Sequence, residues 1–185
     1  MYRKVTMGVV AAVFAAGLGT AHAQEKTTMV GGAAMYPSKD IVANAVNSRD
    51  HTTLVAAVKA AGLVETLQSK GPFTVFAPTN EAFEKLPAGT VDMLLKPQNT
   101  DTLKKVLTYH VVSGRLDAKE LMAKAKKNDG RAELTTVSGD KLWVIANGRM
   151  LTLRDGKGMT ANLTIPDVYQ SNGVIHVIDT VVMAK

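Results

Sequence analysis

Cysteine is missing from all 185 residues. Its absence rules out disulfides, a thiol nucleophile and a lipid-bearing cysteine at an export junction, so stability has to come from burial. Aromatic residues are scarce, at 5%, and few lie among the lysines, which argues against nucleic acid as a partner. Beyond the N-terminus no run reaches the roughly twenty apolar residues that a membrane-spanning helix requires. There is no Gly-x-Ser-x-Gly, and Gly156-Lys157-Gly158 lacks the following helix that a phosphate loop needs. No internal repeat occurs, so a solenoid is excluded.

What is present begins with a processing signal. Arg3 and Lys4 precede an apolar segment, Val5–Leu18, and Ala21-His22-Ala23 supplies a small-x-small cleavage pattern. Residues 1–23 are therefore expected to be removed near Ala23, giving a secreted product, periplasmic or extracellular, with no transmembrane anchor in the mature chain. Removing 23 of 185 residues leaves 162, one domain's worth. It also removes two cations, leaving 20 basic against 16 acidic side chains, a net +4. The lysines at 119, 124, 126 and 127 read as a solvated helix face.

Residues 24–37, with Gly31-Gly32 and little periodicity, read as a flexible linker, and 38–185 as the folded domain. The stretch Gly71–Leu86 organises the rest. Phe73, Val75 and Ala77 alternate with Thr74 and Phe76, a strand pattern that Pro78 ends. Thr79 or Asn80 then caps a helix whose first turn carries Glu81, and Phe83 and Leu86 share one face of it. Before this unit, Ser38 is placed to cap a helix with Ile41, Val42, Ala45 and Val46 inward. Asp50 opens another helix, closed by Gly62 and Leu63. After it come helices over Ala88–Lys96 and Thr100–Tyr109, then a short one capped by Asp117.

From Arg131 onward the pattern turns to short strands: Leu134–Val137, Leu142–Ala146, Met150–Leu153, Met159–Ile165 and Val174–Met183. Asn147-Gly148 is a hairpin turn, and Pro166-Asp167 is expected to interrupt the sheet and project a loop. Helices early and hairpins late predict an α+β fold.

His110 shares a helix face with Leu103, Val106 and Leu107, and His176 sits inside an apolar strand. Metal binding needs further ligands at fitting spacing, and Asp179 falls on the opposite strand face from His176. Both histidines read as core residues bonded to their surroundings. No metal, cofactor or catalytic residue is expected.

The box Phe73, Thr74, Val75, Phe76, Ala77, Pro78, Thr79, Asn80 through Phe83, and a second box, Gly173, Val174, Ile175, His176, Val177, Ile178 and Asp179, resemble the two homology boxes of the fasciclin domain family. Tyr109-His110 between them matches a third signature, and the resemblance spans roughly residues 40–183. It implies a twisted β-wedge of short, mostly antiparallel strands carrying N-terminal helices, with the Phe73–Ala77 strand paired to the late strands. Animal members carry an adhesive Glu-Pro-Asp-Ile motif where this chain has Ile165-Pro166-Asp167-Val168, which keeps the Pro-Asp pair but neither flank. The resemblance implies a non-enzymatic binding module for adhesion to a cell-surface or envelope protein or a polysaccharide. Its candidate contact residues are Pro166, Asp167, Val168, Tyr109 and His110. A different class of function, carriage of a small apolar ligand such as a lipid or haem in a groove, is the alternative that the nine methionines and apolar late strands allow.

Overall fold

The computed structural model describes residues 26–185; the expected signal segment, its cleavage point included, lies outside the described residues. The first described element corrects an expectation. Thr28–Val30 (β1) and Ala33–Met35 (β2) form an antiparallel hairpin rather than a linker. Gly31 and Gly32, at φ 56° and 76°, make its two-residue turn, the left-handed geometry that glycine supplies most readily. Val30 and Met35 then point inward and are buried.

Helix α1 (Ile41–Ala45) starts at Asp40 rather than Ser38, because the Asp40 carboxylate accepts from Ala43 N at 2.8 Å. Its buried face is Ile41 and Asn44, while Val46 is exposed. Asn44 is tolerated inside because its amide donates to the Tyr36 carbonyl and to Gln170, and its oxygen accepts from Tyr36 N. A 3-10 turn, Arg49–His51, leads into α2 (Thr52–Ala60), which closes on Gly62 at φ 67°. Then follow α3 (Val64–Gln68), β3 (Phe73–Pro78), α4 (Asn80–Glu84), α5 (Thr90–Leu94), α6 (Thr100–Tyr109), β4 (Val111–Ser113) and α7 (Ala118–Lys127). A capping box between Asp117 and Glu120 starts α7. The rest is strand: β5 (Arg131–Thr135), β6 (Lys141–Asn147), β7 (Met150–Arg154), β8 (Thr160–Gln170) and β9 (Gly173–Ile178).

Seven strands form one sheet in the order β4-β3-β9-β8-β7-β6-β5. All pairs are antiparallel except β3 with β9, whose register sets Phe76 opposite His176. The two edges nearly meet: Val112 bridges Thr136, and Val137 N donates to the Val111 carbonyl at 2.7 Å. The result is the expected α+β wedge, with β3 and β9 paired in parallel and buried on both faces.

Alternate residues of these two strands feed two cores. Val75, Ala77, Ile175 and Val177 pack under the helices with Ile41, Leu54, Val58 and Leu107. Phe76 and Ile178 face the interior of the curled sheet with Tyr109, Leu121, Leu142 and Leu153. Glycine is needed where the two strands begin. A Cβ on Gly173 would run into the Phe73 carbonyl.

Candidate functional site

Two stretches differ from the sequence expectation where binding residues were sought. The last strand ends at Ile178, since Asp179 turns to hold Asn162: its carboxylate accepts from Asn162 N and Nδ2, both at 2.9 Å. More importantly, Pro166 and Asp167 do not project as a loop. They lie within β8, where the register jumps from Ile165↔Val177 to Val168↔Ile175, placing one extra residue on β8. This is a bulge, and a proline can sit there because no ladder bond is asked of its nitrogen. Asp167 takes φ 59°, a conformation that short polar side chains adopt more easily than most.

The bulge is tied down from both sides. Asp167 Oδ1 accepts from Ala118 N at 2.7 Å, anchoring the first turn of α7, and Asp167 N donates to His176 Nδ1 at 3.2 Å. His176 Nε2–H donates to the Leu116 carbonyl at 2.8 Å, and its ring stacks on Phe76 with centroids 5.6 Å apart. Burial lowers the His176 pKa, against the opposing pull of the Leu116 carbonyl and of Asp167 and Asp117. His110 is held in the same way with its nitrogens reversed. Its Nδ1–H donates to the Val106 carbonyl at 2.8 Å, and Nε2 accepts from Val182 N at 3.2 Å. Burial lowers its pKa to about 4, although the Val106 carbonyl and Asp155 favour the charged ring. Both rings are therefore neutral at pH 7 with every nitrogen engaged, and neither offers a lone pair to a metal or to an incoming substrate. Among the described residues no cluster of three or more His, Cys, Asp or Glu could hold a metal ion.

The remaining motif residues have structural partners too. Tyr109 is fully buried; its hydroxyl donates to the Lys141 carbonyl at 2.7 Å and accepts from Gly156 N at 3.1 Å. Thr74 Oγ1 bonds Gly114 O and Leu116 N, and Thr79 caps α4 through Ala82 N. Asn80 reaches back to α2 and the 3-10 turn before it, accepting from Thr53 N at 3.0 Å and donating to the Arg49 carbonyl at 2.9 Å. Phe83 is buried, and Phe73 is half-buried beside the helices.

Of the five candidate contact residues, the fold buries Tyr109, His110 and Val168. Pro166 is exposed and Asp167 half-exposed. Near Asp167 lie residues that the sequence reading missed: Tyr169, 40% exposed, with Arg115 and Asp117 beside it. Burial raises the Tyr169 pKa, and Asp167 and Asp117 raise it further, so the phenol stays protonated beside two carboxylates. Arg115 Nη2 donates to the carbonyls of Gln170 and Ser171, which fixes its guanidinium along the strand end. His51, buried under the helices, was also missed. Neither miss had a local signal, since Tyr169 alternates like any strand residue and His51 sits in a short 3-10 turn.

Geometry of this kind defines an α+β domain with a fastened, solvent-facing bulge and internal histidines. The fasciclin domain model matches residues 49–184, and the chain belongs to the fasciclin domain family. Protein sll1483 of Synechocystis sp. is 45% identical over 161 residues, spanning 86% of this chain and 81% of that protein. The cell surface glycolipoprotein MPB83 of Mycobacterium bovis is 34% identical over 167 residues, spanning 88% and 68%. Among solved structures, a FAS1 domain pair from the insect cell adhesion molecule Fasciclin I superposes with a TM-score of 0.71 at 19% identity. The match covers 80% of this chain and 52% of that one, a likeness of fold.

Proposed function

We propose that this chain is an exported adhesion-type module that acts by binding rather than by catalysis. Its partner would be a cell-surface or envelope protein or a polysaccharide. The observation that carries this reading is the surface beside the β8 bulge, where exposed Tyr169 stands among Arg115, Asp117 and Asp167, and Pro166 is exposed on the bulge itself. An exposed tyrosine beside an arginine and two carboxylates is the mixture of aromatic anchor and polar rim that recognition surfaces favour. Membership of a family with a cell surface glycolipoprotein and a cell adhesion molecule among its relatives supports the same reading. So does the N-terminal processing pattern, and no helix among the described residues is long and apolar enough to cross a membrane.

The test is retention of the purified mature chain on envelope fractions of its own host, compared with a Tyr169→Ala/Pro166→Ala double variant. Specific retention that falls fivefold or more in the double variant, with unfolding unchanged, is the expected result. Absence of retention, or retention indifferent to the double change, would overturn the assignment.

A further inference from the structure

Strands β5, β6 and β7 have an outward face that takes no part in either core. Ala132, Leu134, Leu142, Val144, Leu151 and Leu153 point into the curled sheet, where α7 adds Leu121 and Ala125. The residues that alternate with them point out. Trp143, the chain's one tryptophan, stands half-buried in the middle of this face. Glu133 lies opposite it on β5 and Arg154 opposite it on β7. The Arg131 guanidinium lies over its ring, 4.8 Å from the centroid.

The charges here are unevenly committed. From Arg131 to Ile165 every acid already has partners. Glu133 pairs with Lys141 at 3.0 Å and Asp140 with Lys105 at 3.6 Å. Asp155 is buried and accepts from the backbone of Lys157, Met159 and Met183. Arg131, Arg149 and Arg154 are exposed, and none of them forms a salt bridge among the described residues. Arg131 is the weakest of the influences that hold the Glu133 carboxyl low, and Lys141 is the strongest. The plane of Arg131 is thus fixed by the indole while its N–H edge stays free, a preorganised fork.

We propose that this face docks a linear, uronate-bearing polysaccharide, with its carboxylates on Arg131 and Arg154 and a sugar ring against the accessible part of Trp143. Guanidinium forks match planar carboxylates two bonds at a time. The surplus of unpaired cations is complementary to a polyanion. A chain rather than a small anion is specified by extent, because the seven residues of β6 run about 20 Å. Apolar groups are too few for the core of a protein interface or for insertion into a bilayer. Trp143 and Ile145 are half-buried, and only Met150, at a corner, stands clear at 62% exposed. This face shares no residue with the surface beside the β8 bulge, so either proposal can fail without the other.

The probe is an oligogalacturonate titrated into the purified mature chain at low salt and followed by the fluorescence of Trp143. A maltooligosaccharide, polyglutamate and phosphatidylglycerol vesicles are the comparison ligands. The expected result is a saturable change with oligogalacturonate and weaker or no binding of the other three. An Arg131→Gln/Arg154→Gln double variant should bind oligogalacturonate about tenfold more weakly, the range that lost charge-assisted hydrogen bonds supply. Arg131→Lys/Arg154→Lys, which keeps the charge but not the forks, should fall between the two. If the glutamine pair does not fold, the wild-type order of the four ligands and the lysine pair decide the matter. Absence of a saturable change, indifference to the glutamine pair, or a lysine pair equal to wild type would overturn the site. So would polyglutamate or vesicles binding as tightly as oligogalacturonate, since the face would then serve an acidic protein or a membrane.

Discussion

Inside the curled sheet, Phe76, Tyr109, Leu121, Leu142, Leu153 and Ile178 are buried, and His176 beside them has both ring nitrogens bonded. On the opposite face of the same two strands, the core under α1, α2 and α3 surrounds a cavity of about 80 Å³. The same β3 and β9 backbone serves both, with successive residues pointing to one side or the other. The difference lies in what covers each face. Long paired strands present rows of close-packed side chains inside the sheet, whereas five- and nine-residue helices joined by tight turns tile the other face less completely.

That contrast can be broken by core truncation, where the largest effects are expected. Leu153→Ala, in the dense core, should cost about 4 kcal/mol in urea unfolding, and Leu54→Ala, beside the cavity, about 2 kcal/mol. Equal costs would mean that the two cores are packed alike. Acid should act next most strongly. Buried histidines are neutral when folded, while an unfolded histidine titrates near 6.5, so protons bind the unfolded chain preferentially below that pH. Stability is full above about pH 6.5 and declines as pH falls toward about 4, the value to which burial lowers His110. Across that window His110 alone accounts for about 3 kcal/mol. His110→Gln should be less stable than wild type at pH 7.5, yet lose less on going to pH 4.5; parallel curves would show that His110 does not titrate as described.

Gly173→Ala forces a methyl against the Phe73 carbonyl and should cost about 2 to 3 kcal/mol, with β3 and β9 amides losing hydrogen-exchange protection first. A silent substitution would mean that the strand pair can spread. Asp167→Ala removes the acceptor for Ala118 N and should cost about 1 kcal/mol, concentrated at the start of α7. Protection lost evenly over the whole chain would detach the bulge from that helix.

Much of this arrangement was legible in the chain. The Phe73–Pro78 strand, the Thr79 cap, the Gly62 helix end and the hairpin-rich second half follow from period and turn chemistry, which act over a few residues. Three features were not, each because a distant partner decides it. Gly31-Gly32 reads as a spacer until Val30 and Met35 find a core to enter. Pro166 reads as a break until β9 supplies a register in which one residue can bulge. His51 attracts no notice until α2, α3 and β3 enclose it. The β8 surface shares this character, since Arg115 and Tyr169 are 54 positions apart in the chain and meet only through the fold.

The central claim is that the motif histidines are internal struts, so that work falls to the exterior. Long-range proton–nitrogen NMR of the histidine rings tests it most directly. The account predicts His110 with its proton on Nδ1 and His176 with its proton on Nε2, His110 neutral down to about pH 4, and neither ring responding to added zinc. Either ring titrating near 6.5 like a free imidazole, or shifting on zinc addition, would contradict it.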